Sequence, residues 1–462
     1  MPLTVARFSG ATRGAPARVS PGDRHARLPS RVPHRHHGGG MNRVRIAVAA
    51  VFLLTLTTTL TVGAGRPARA TDAARDPALQ HIAPALQHID PAVEHIAPGV
   101  DYQALTLTTG HGPSRVHVVT VDLRHAGVGA GLLHAGTVTG RAPVSAMAEQ
   151  QGAVAAINGD FFNMTEAEHP GVAATGSASG AAVLHGQPLK GAVPQGQRFG
   201  WKMPAGASGE DVLGVGQDGR ARTARLTLNG QLHPPQGSLA LKGLNQYALP
   251  EGSIGVFNPD WGSVSRARAA CGTDHKRAAP CTRDTFEVTV RDGRVADTAT
   301  TPGSGPVPAG SLVLLGREQG ARALRSLTPG TPVSVDYRFD STGVTPFDFA
   351  LGAYPLLKDR APLPGLDDVT AEPRTAAAIA DDGHLLRLVA TDGRESTATG
   401  LTVAELARFL ASLRCDEGVF LDGGASTTLV TRDPATGRTT VRNTLDHGQQ
   451  RRVPNGIAIY HH

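Results

Sequence analysis

The chain has 462 residues, with 45 Lys and Arg against 39 Asp and Glu, and a formal net charge of +6 at pH 7. Eleven of those bases but only one acid, Asp23, fall within residues 1–70, so the remainder is mildly acidic. A nucleic-acid partner thereby loses its main electrostatic support, while the length allows a large core and two or three domains.

Residues 1–40 are rich in Arg, His and Pro and carry no hydrophobic period. Met41-Asn-Arg-Val-Arg45 is a basic n-region, Ile46 to about Ala64 an apolar h-region, and Ala68-Arg69-Ala70 a small-x-small cleavage site. The expectation is a signal peptide over 41–70, cleaved after Ala70, with a secreted product and no stable membrane insertion afterwards. Met41 is then the expected start, and 1–40 an upstream extension that is unexpressed or disordered.

From Pro77 a heptad recurs three times, as PALQHIA, PALQHID and PAVEHIA. His81, His88 and His95 invite a metal reading, but proline every seventh residue breaks a helix and no second ligand type accompanies each His. A spacer over 71–97 is the expectation, with the folded part starting near Ile96.

Tyr102 to Thr108 and Arg115 to Arg124 alternate apolar and polar residues, as half-buried antiparallel strands do. Ala142 to Gln151 reads as a helix leading into the strand Ala153 to Ile157, which delivers Asn158-Gly159-Asp160 at its end. His169 follows in a Gly-, Ala- and Ser-rich loop, where a solvated role is expected. Between about 195 and 345, turn signals at Asp218-Gly219, Asn229-Gly230, Asp292-Gly293 and Pro329-Gly330 separate strand-like runs, predicting a β-rich insertion. Within it Cys271 and Cys281 bracket a short polar loop and are the natural disulfide pair, worth roughly 2–3 kcal/mol. Cys415 is left as a buried structural thiol.

Pro373-Arg374-Thr375 opens a hairpin through Asp381-Asp382-Gly383. Thr402 with Glu405 forms a capping box for a helix whose apolar face is Leu406, Phe409, Leu410 and Leu413. That helix leads to the buried run Val419 to Leu421, which drives into Asp422-Gly423-Gly424 and the hydroxyls Ser426, Thr427 and Thr428. Pro454-Asn455-Gly456 precedes the last apolar strand. The fold class expected is α+β, a mixed or antiparallel sheet core with a few packed helices plus the inserted β-rich segment.

Three distant turns thus place polar groups at the ends of buried strands. If the strands share a sheet, two carboxylates, an arginine, an amide and several hydroxyls converge. Such a set suits cleavage at an anomeric carbon bearing an anionic leaving group, with a guanidinium on phosphate and carboxylates activating water or stabilising an oxocarbenium-like state. Each residue also has a structural reading: Arg374 as an ion-pair partner, Asp160 as a turn former, Asn158 as a backbone cap. No nucleophile elbow, His-Glu-x-x-His helix or Walker loop is present.

The blocks Ala156-Ile-Asn-Gly-Asp-Phe-Phe162, Pro373-Arg-Thr-Ala376 with Asp392-Gly393-Arg394, Leu421-Asp-Gly-Gly-Ala-Ser-Thr-Thr-Leu429 and Val453-Pro-Asn-Gly-Ile457 resemble the phosphodiester glycosidases, in the order expected for that family. The resemblance covers roughly residues 100–195 and 345–462. It departs at Asp160 and Ala425, where the family commonly has glycine. It implies hydrolysis of a sugar-1-phosphodiester, for example an α-N-acetylglucosaminyl phosphodiester, to free sugar and a phosphomonoester. Asp422, Asp160 and Arg374 are then the expected catalytic residues. Asn158, Gly159, Thr375, Gly423, Gly424, Ser426, Thr427 and Asn455 are expected to bind substrate, a carbohydrate phosphodiester or cell-envelope glycan. No cofactor or resident metal is called for, a divalent ion at Asp160 and Asp422 being the alternative. Two rival functions stay open: a non-catalytic binder of cell-wall polysaccharide or exopolysaccharide, and a phosphodiesterase cutting the P–O bond.

Overall fold

The computed structural model describes residues 92–341, 344–394 and 398–462. The extension 1–40, the signal segment 41–70 and the first two heptads lie outside them. All described residues belong to one compact unit.

An eight-stranded antiparallel sheet forms the backbone of the molecule. Its order is β1 (Glu94–Ala97), β2 (Val100–Thr109), β3 (Gly112–Asp122), β21 (Leu385–Thr391), β20 (Thr375–Ala380), β22 (Glu417–Phe420), β18 (Tyr354–Lys358) and β19 (Ala361–Pro362). The third heptad is therefore not all spacer. Its Glu94–Ala97 pairs with β2, and Ile96 is buried in the core. Pro98-Gly99 makes the tight turn between the two strands, with Gly99 at φ 77°.

A five-stranded sheet, β24 (Thr439–Val441), β23 (Leu429–Arg432), β5 (Ala155–Asn158), β25 (Asn455–His461) and β4 (Val128–His134), shares a core with the first. A second five-stranded sheet, β7 (Gln187–Lys190), β6 (Ala182–Leu184), β17 (Phe347–Gly352), β8 (Asp211–Gly216) and β9 (Ala221–Arg225), closes the same core. Val119, Ile157, Leu213, Leu351, Ile379, Leu388 and Ile457 meet there, because alternation sends every second residue of each strand inward.

Two helices cover outer faces. α1 (Val144–Gln151) packs Val144, Met147 and Ala148 against the β5–β25 sheet and stops at Gly152, which adopts φ 71°. The Thr402–Glu405 capping box opens the second covering helix, Val403–Ser412, whose Leu406, Phe409 and Leu410 pack on the eight-stranded sheet. Glu405 also accepts from His111 at 2.9 Å.

The β-rich segment builds its own seven-stranded sheet, from β14 (Arg294–Ala299) through β13 (Thr285–Arg291), β15 (Ser311–Arg317), β12 (Ile254–Phe257), β11 (Leu239–Leu244) and β10 (Thr227–His233) to β16 (Ser334–Asp340). Among the described residues, only β11 and β12 pair in parallel. A six-residue helix, α2 (Gln319–Leu324), lies on it, which makes Val403–Ser412 α3. The Asn229-Gly230 turn signal fails: both residues sit inside β10, Asn229 paired with β16 and Gly230 with both β16 and β11, so sheet partners override local turn chemistry. With helices of only eight, six and ten residues among the described residues, the chain is β-rich and mostly antiparallel, a narrower architecture than the α+β class expected.

The predicted disulfide joins Cys271 and Cys281. Cys415 is a free, buried thiol beside Arg387, and burial raises its pKa.

Candidate functional site

β5, β20 and β22 all end at one place. β22 pairs with β20 through Phe420↔Ala376, and beyond Phe420 the chain crosses to the neighbouring sheet, where Leu429 pairs with Ile157 of β5. The three special turns thereby converge at this crossing point.

Asn158, fully buried, is the clip. Its Nδ2 donates to the carbonyl of Asp422 at 2.6 Å, and its Oδ1 accepts from Thr375 Oγ1 and from the Thr428 amide, each at 3.0 Å. Thr375 Oγ1 also lies 3.2 Å from Thr427 Oγ1. The Asp422 amide donates to the Gly159 carbonyl at 2.8 Å. A side chain at Gly159 would meet Asn455 Oδ1 at 2.5 Å, so glycine is required by close approach. Asn455 Oδ1 in turn accepts from the Asp160 amide at 3.0 Å.

Asp422 is only partly covered, yet burial pushes its carboxyl up to about 7, with Asp160 and Glu372 adding to the rise. Ser426 and Arg451 pull the other way without prevailing. The Ser426 hydroxyl donates to Asp422 Oδ2 at 2.5 Å, while Arg451 Nη1 donates to Ser426 Oγ at 3.2 Å. The positive φ of this turn falls on Gly424, at 60°, whose missing side chain leaves room for Arg394. Ala425 carries no positive φ, so the departure from glycine there is without backbone cost.

Two expected catalytic residues are placed differently. Asp160 is sealed: its side chain is 0 % exposed, Oδ2 accepts from the Gly180 amide at 2.5 Å, and Arg198 reaches Oδ1 at 3.3 Å. A Cβ on Gly352 would stand 2.6 Å from Oδ2, so the carboxylate fills a slot between two glycines and leaves no room for a substrate atom. Burial raises its pKa against the pull of Arg198 and Lys190. Lys190 is itself buried on the carbonyls of Gly180 and Gly191, and burial lowers its pKa to about 7.

Arg374 is 1 % exposed and its guanidinium is taken up by a scaffold. Nε donates to Leu401 O at 2.9 Å, Nη1 to Glu372 at 2.9 Å and Nη2 to Thr370 O at 2.5 Å. The Trp201 ring covers its guanidinium at 5.0 Å. An open fork for phosphate is replaced here by a buried tie. His169 also differs from the solvated role expected, since it is buried between Glu166 at 2.5 Å and Ala279 O at 2.8 Å.

Residues that the sequence reading gave no role complete the site. Glu372 joins Arg374 to Arg394, and Arg394 continues to Asp446 at 3.1 Å. Asn443 holds the hydroxyl segment, donating to Thr427 O and accepting from the Leu429 amide. Asp392 accepts from buried His117 and from Thr444; burial would raise its pKa, but those hydrogen bonds outweigh it and hold the carboxyl low. Asp392 thus fixes the loop carrying Asp446. Arg451 and Arg394 sit four and sixty-one residues before Asn455. Arg451 had a signal available, an Arg pair directly preceding a recognised block.

Among the described residues, the one group of His, Cys, Asp or Glu gathered at metal-ligand distance is His169 with Cys271 and Cys281. Those sulfurs are joined to each other and offer no thiolate. At Asp160 and Asp422 no third such ligand is gathered, and Asp160 is already committed to Gly180 and Arg198. A separate cleft of about 700 Å³ borders Ile379 and Glu417, at the far end of β20 and β22. All three of its arginines are paired, Arg220 with Asp382, Arg222 with Asp218 and Arg360 with Asp416, and Glu417 accepts from Thr223. None of the described helices is long and apolar enough to cross a membrane.

Residues 284–460 match the family model of the phosphodiester glycosidases, so the resemblance read from the motifs is shown. The match starts inside the segment expected as an elaboration and does not reach the Asn158 block. No curated protein sequence matches the chain. Among solved structures, a hypothetical protein from Synechocystis is 22% identical with a TM-score of 0.61, covering 79% of this chain and 62% of that one. A Burkholderia pseudomallei protein described as exported is 23% identical with a TM-score of 0.57, covering 75% and 74%. These two likenesses establish the fold alone, and this chain spans only 62% of the Synechocystis protein's length. The zebrafish N-acetylglucosamine-1-phosphodiester α-N-acetylglucosaminidase catalytic domain is 13% identical, with a TM-score of 0.39 over 81% and 87%, too low a score to say more.

Proposed function

We propose that this protein hydrolyses glycosyl phosphodiesters at the anomeric carbon, releasing free sugar and a phosphomonoester. The family match over residues 284–460 supports the class. The observation that carries the reading is Asp422: a carboxyl pushed up to about 7, partly open to solvent, at the meeting point of all four motif blocks. An acid poised near neutrality serves both directions of proton transfer.

The bond between the anomeric carbon and the phosphate oxygen breaks, and its electron pair stays on that oxygen. Water supplies the hydroxyl of the freed sugar. Protonated Asp422 assists departure of the phosphate oxygen, and ionised Asp422 takes the proton of the incoming water. Asp160 contributes through its charge, since it stands behind Asp422 and helps raise the carboxyl. Arg374 contributes by holding the Glu372 segment. Asn158, Gly159, Thr375, Gly423, Gly424, Thr427 and Asn455 shape the floor against which the sugar lies, and Ser426 orients the acid. Export through residues 41–70 places the substrate outside the cell, as a phosphodiester-linked glycan.

Purified protein incubated with an α-N-acetylglucosaminyl phosphodiester should yield free N-acetylglucosamine and a phosphomonoester, and Asp422→Ala should abolish both. Sugar-1-phosphate among the products would overturn the reading in favour of P–O cleavage.

A further inference from the structure

Three guanidinium groups lie around the Asp422 turn, and they are not equivalent. Arg374 is buried and paired with Glu372. Arg394 is shared between Glu372 at 2.7 Å and Asp446 at 3.1 Å. Arg451 is half-buried, and among the described residues it forms no salt bridge. Its one side-chain hydrogen bond among the described residues runs from Nη1 to Ser426 Oγ, 3.2 Å long, and the Ser426 hydroxyl in turn donates to Asp422 Oδ2.

We infer that Arg451 is the residue that receives the anionic phosphate of the substrate, and that Ser426 couples its occupancy to the protonation of Asp422. This rests on the glycosyl phosphodiester reading given above. An uncompensated guanidinium in a partly dehydrated position matches phosphate geometry and has its full charge to offer. The anion and an ionised Asp422 then compete for the same positive charge. With Asp422 neutral, Arg451 is free to attract the ligand; with Asp422 ionised, the charge is already answered through Ser426.

The groups facing Asp422 from each packed element favour this coupling. Asp160 follows β5, Glu372 precedes β20 and Tyr354 begins β18; both carboxylates disfavour a further negative charge. Arg451, before β25, is the cation that attracts one. Arg198 answers Asp160, Lys190 lies beside it, and Arg394 answers Glu372. A bound anion therefore draws a proton onto Asp422, and the site takes up both together.

The test is calorimetric titration of the full-length protein with sulfate, whose charge is constant over the range used. Wild type should bind at pH 6 at least tenfold more tightly than at pH 8, with proton uptake seen as a buffer-dependent enthalpy. Arg451→Ala should weaken binding at pH 6 by tenfold or more, with Arg451→Lys intermediate. Asp422→Asn should bind at both pH values without the pH dependence. Absence of sulfate binding in wild type, unchanged binding in Arg451→Ala, or a pH dependence surviving in Asp422→Asn would each overturn the inference. Unaltered thermal unfolding of Arg451→Ala shows that a loss of binding is not a loss of fold. Sulfate binding as expected without glycosyl phosphodiester hydrolysis would sink the functional reading alone. Hydrolysis with an unchanged KM in Arg451→Ala would sink the Arg451 assignment alone.

Discussion

Asn158 and Asp422 are 264 residues apart in sequence, yet the amide of one donates to the carbonyl of the other at 2.6 Å. The backbone that carries Asp422 is therefore held by a side chain on a different sheet. Asn158 Oδ1 binds Thr375 and Thr428 as well, so one amide group ties together the three turns that the sequence brings separately.

Asn158→Ala should therefore cost stability as well as activity. Three hydrogen bonds are lost, and buried partners are left unsatisfied, for about 2–4 kcal/mol in total. Urea unfolding monitored by tryptophan fluorescence measures it; a midpoint equal to wild type would show that the clip carries no weight.

Asp422 sets a pH dependence of opposite sign to that of a salt-bridged carboxylate. Its folded pKa of about 7 lies above the unfolded value, so the native state binds the proton more tightly. The stability it contributes is complete below about pH 4 and is lost as pH rises toward 7. Asp422→Asn should raise stability by up to about 4 kcal/mol at pH 8, less to the extent that water screens the carboxyl, and change it little at pH 4. Equal effects at both pH values would show that the carboxyl is not perturbed.

Arg374→Ala is expected to unfold the region rather than weaken substrate binding selectively. The substitution leaves Glu372 with Arg394 alone and frees the carbonyls of Thr370 and Leu401, at a cost of about 2–4 kcal/mol. Thermal unfolding should show a drop of many degrees. A normal melting temperature with a raised KM would instead identify an open phosphate fork.

Reducing the Cys271–Cys281 bond, or replacing both by Ser, should destabilise the β-rich segment by about 2–3 kcal/mol. Within the loop it closes, the Ala279 carbonyl meets His169, and Arg277 pairs with Glu168. Proteolysis of the 272–280 loop should accelerate in the reduced protein and stay unchanged in Cys415→Ser.

Gly352→Ala probes the slot around Asp160. Its added methyl would meet Gly180 Cα at 2.5 Å and Asp160 Oδ2 at 2.6 Å, and neither neighbour is a flexible side-chain end free to move. A loss of about 2 kcal/mol or more is expected, read as a lowered denaturant midpoint. Wild-type stability would mean that the two loops are free to part.

Local patterns were legible wherever one stretch of chain holds all the information. The alternation of Tyr102 to Thr108, the capping box at Thr402, the hairpin through Asp381-Asp382-Gly383 and the cysteine pair each depend on neighbours within a few residues. Asn229-Gly230 failed for the converse reason: β11 and β16 pair with that stretch on both sides and outweigh its turn preference. Ile96 was read as the start of the fold, but Glu94 already pairs with Tyr102 and reaches Arg442, which lies 348 residues away.

The sequence alone determined which residues end the buried strands, and so which polar groups could enter a site: Asn158, Asp160, Arg374, Thr375, Asp422 and Ser426. Tertiary structure decided what each of them faces. Asp160 and Arg374 are taken into buried pairs with Arg198 and Glu372, whereas Arg451, unremarked in the sequence, lies beside the acid. The reason is physical: hydrophobic alternation fixes the strand and the side on which a residue stands, but the charge it meets depends on sheets joined across hundreds of residues. A charge buried with a partner is scaffold, and one left uncompensated at a half-open carboxyl is available for a ligand.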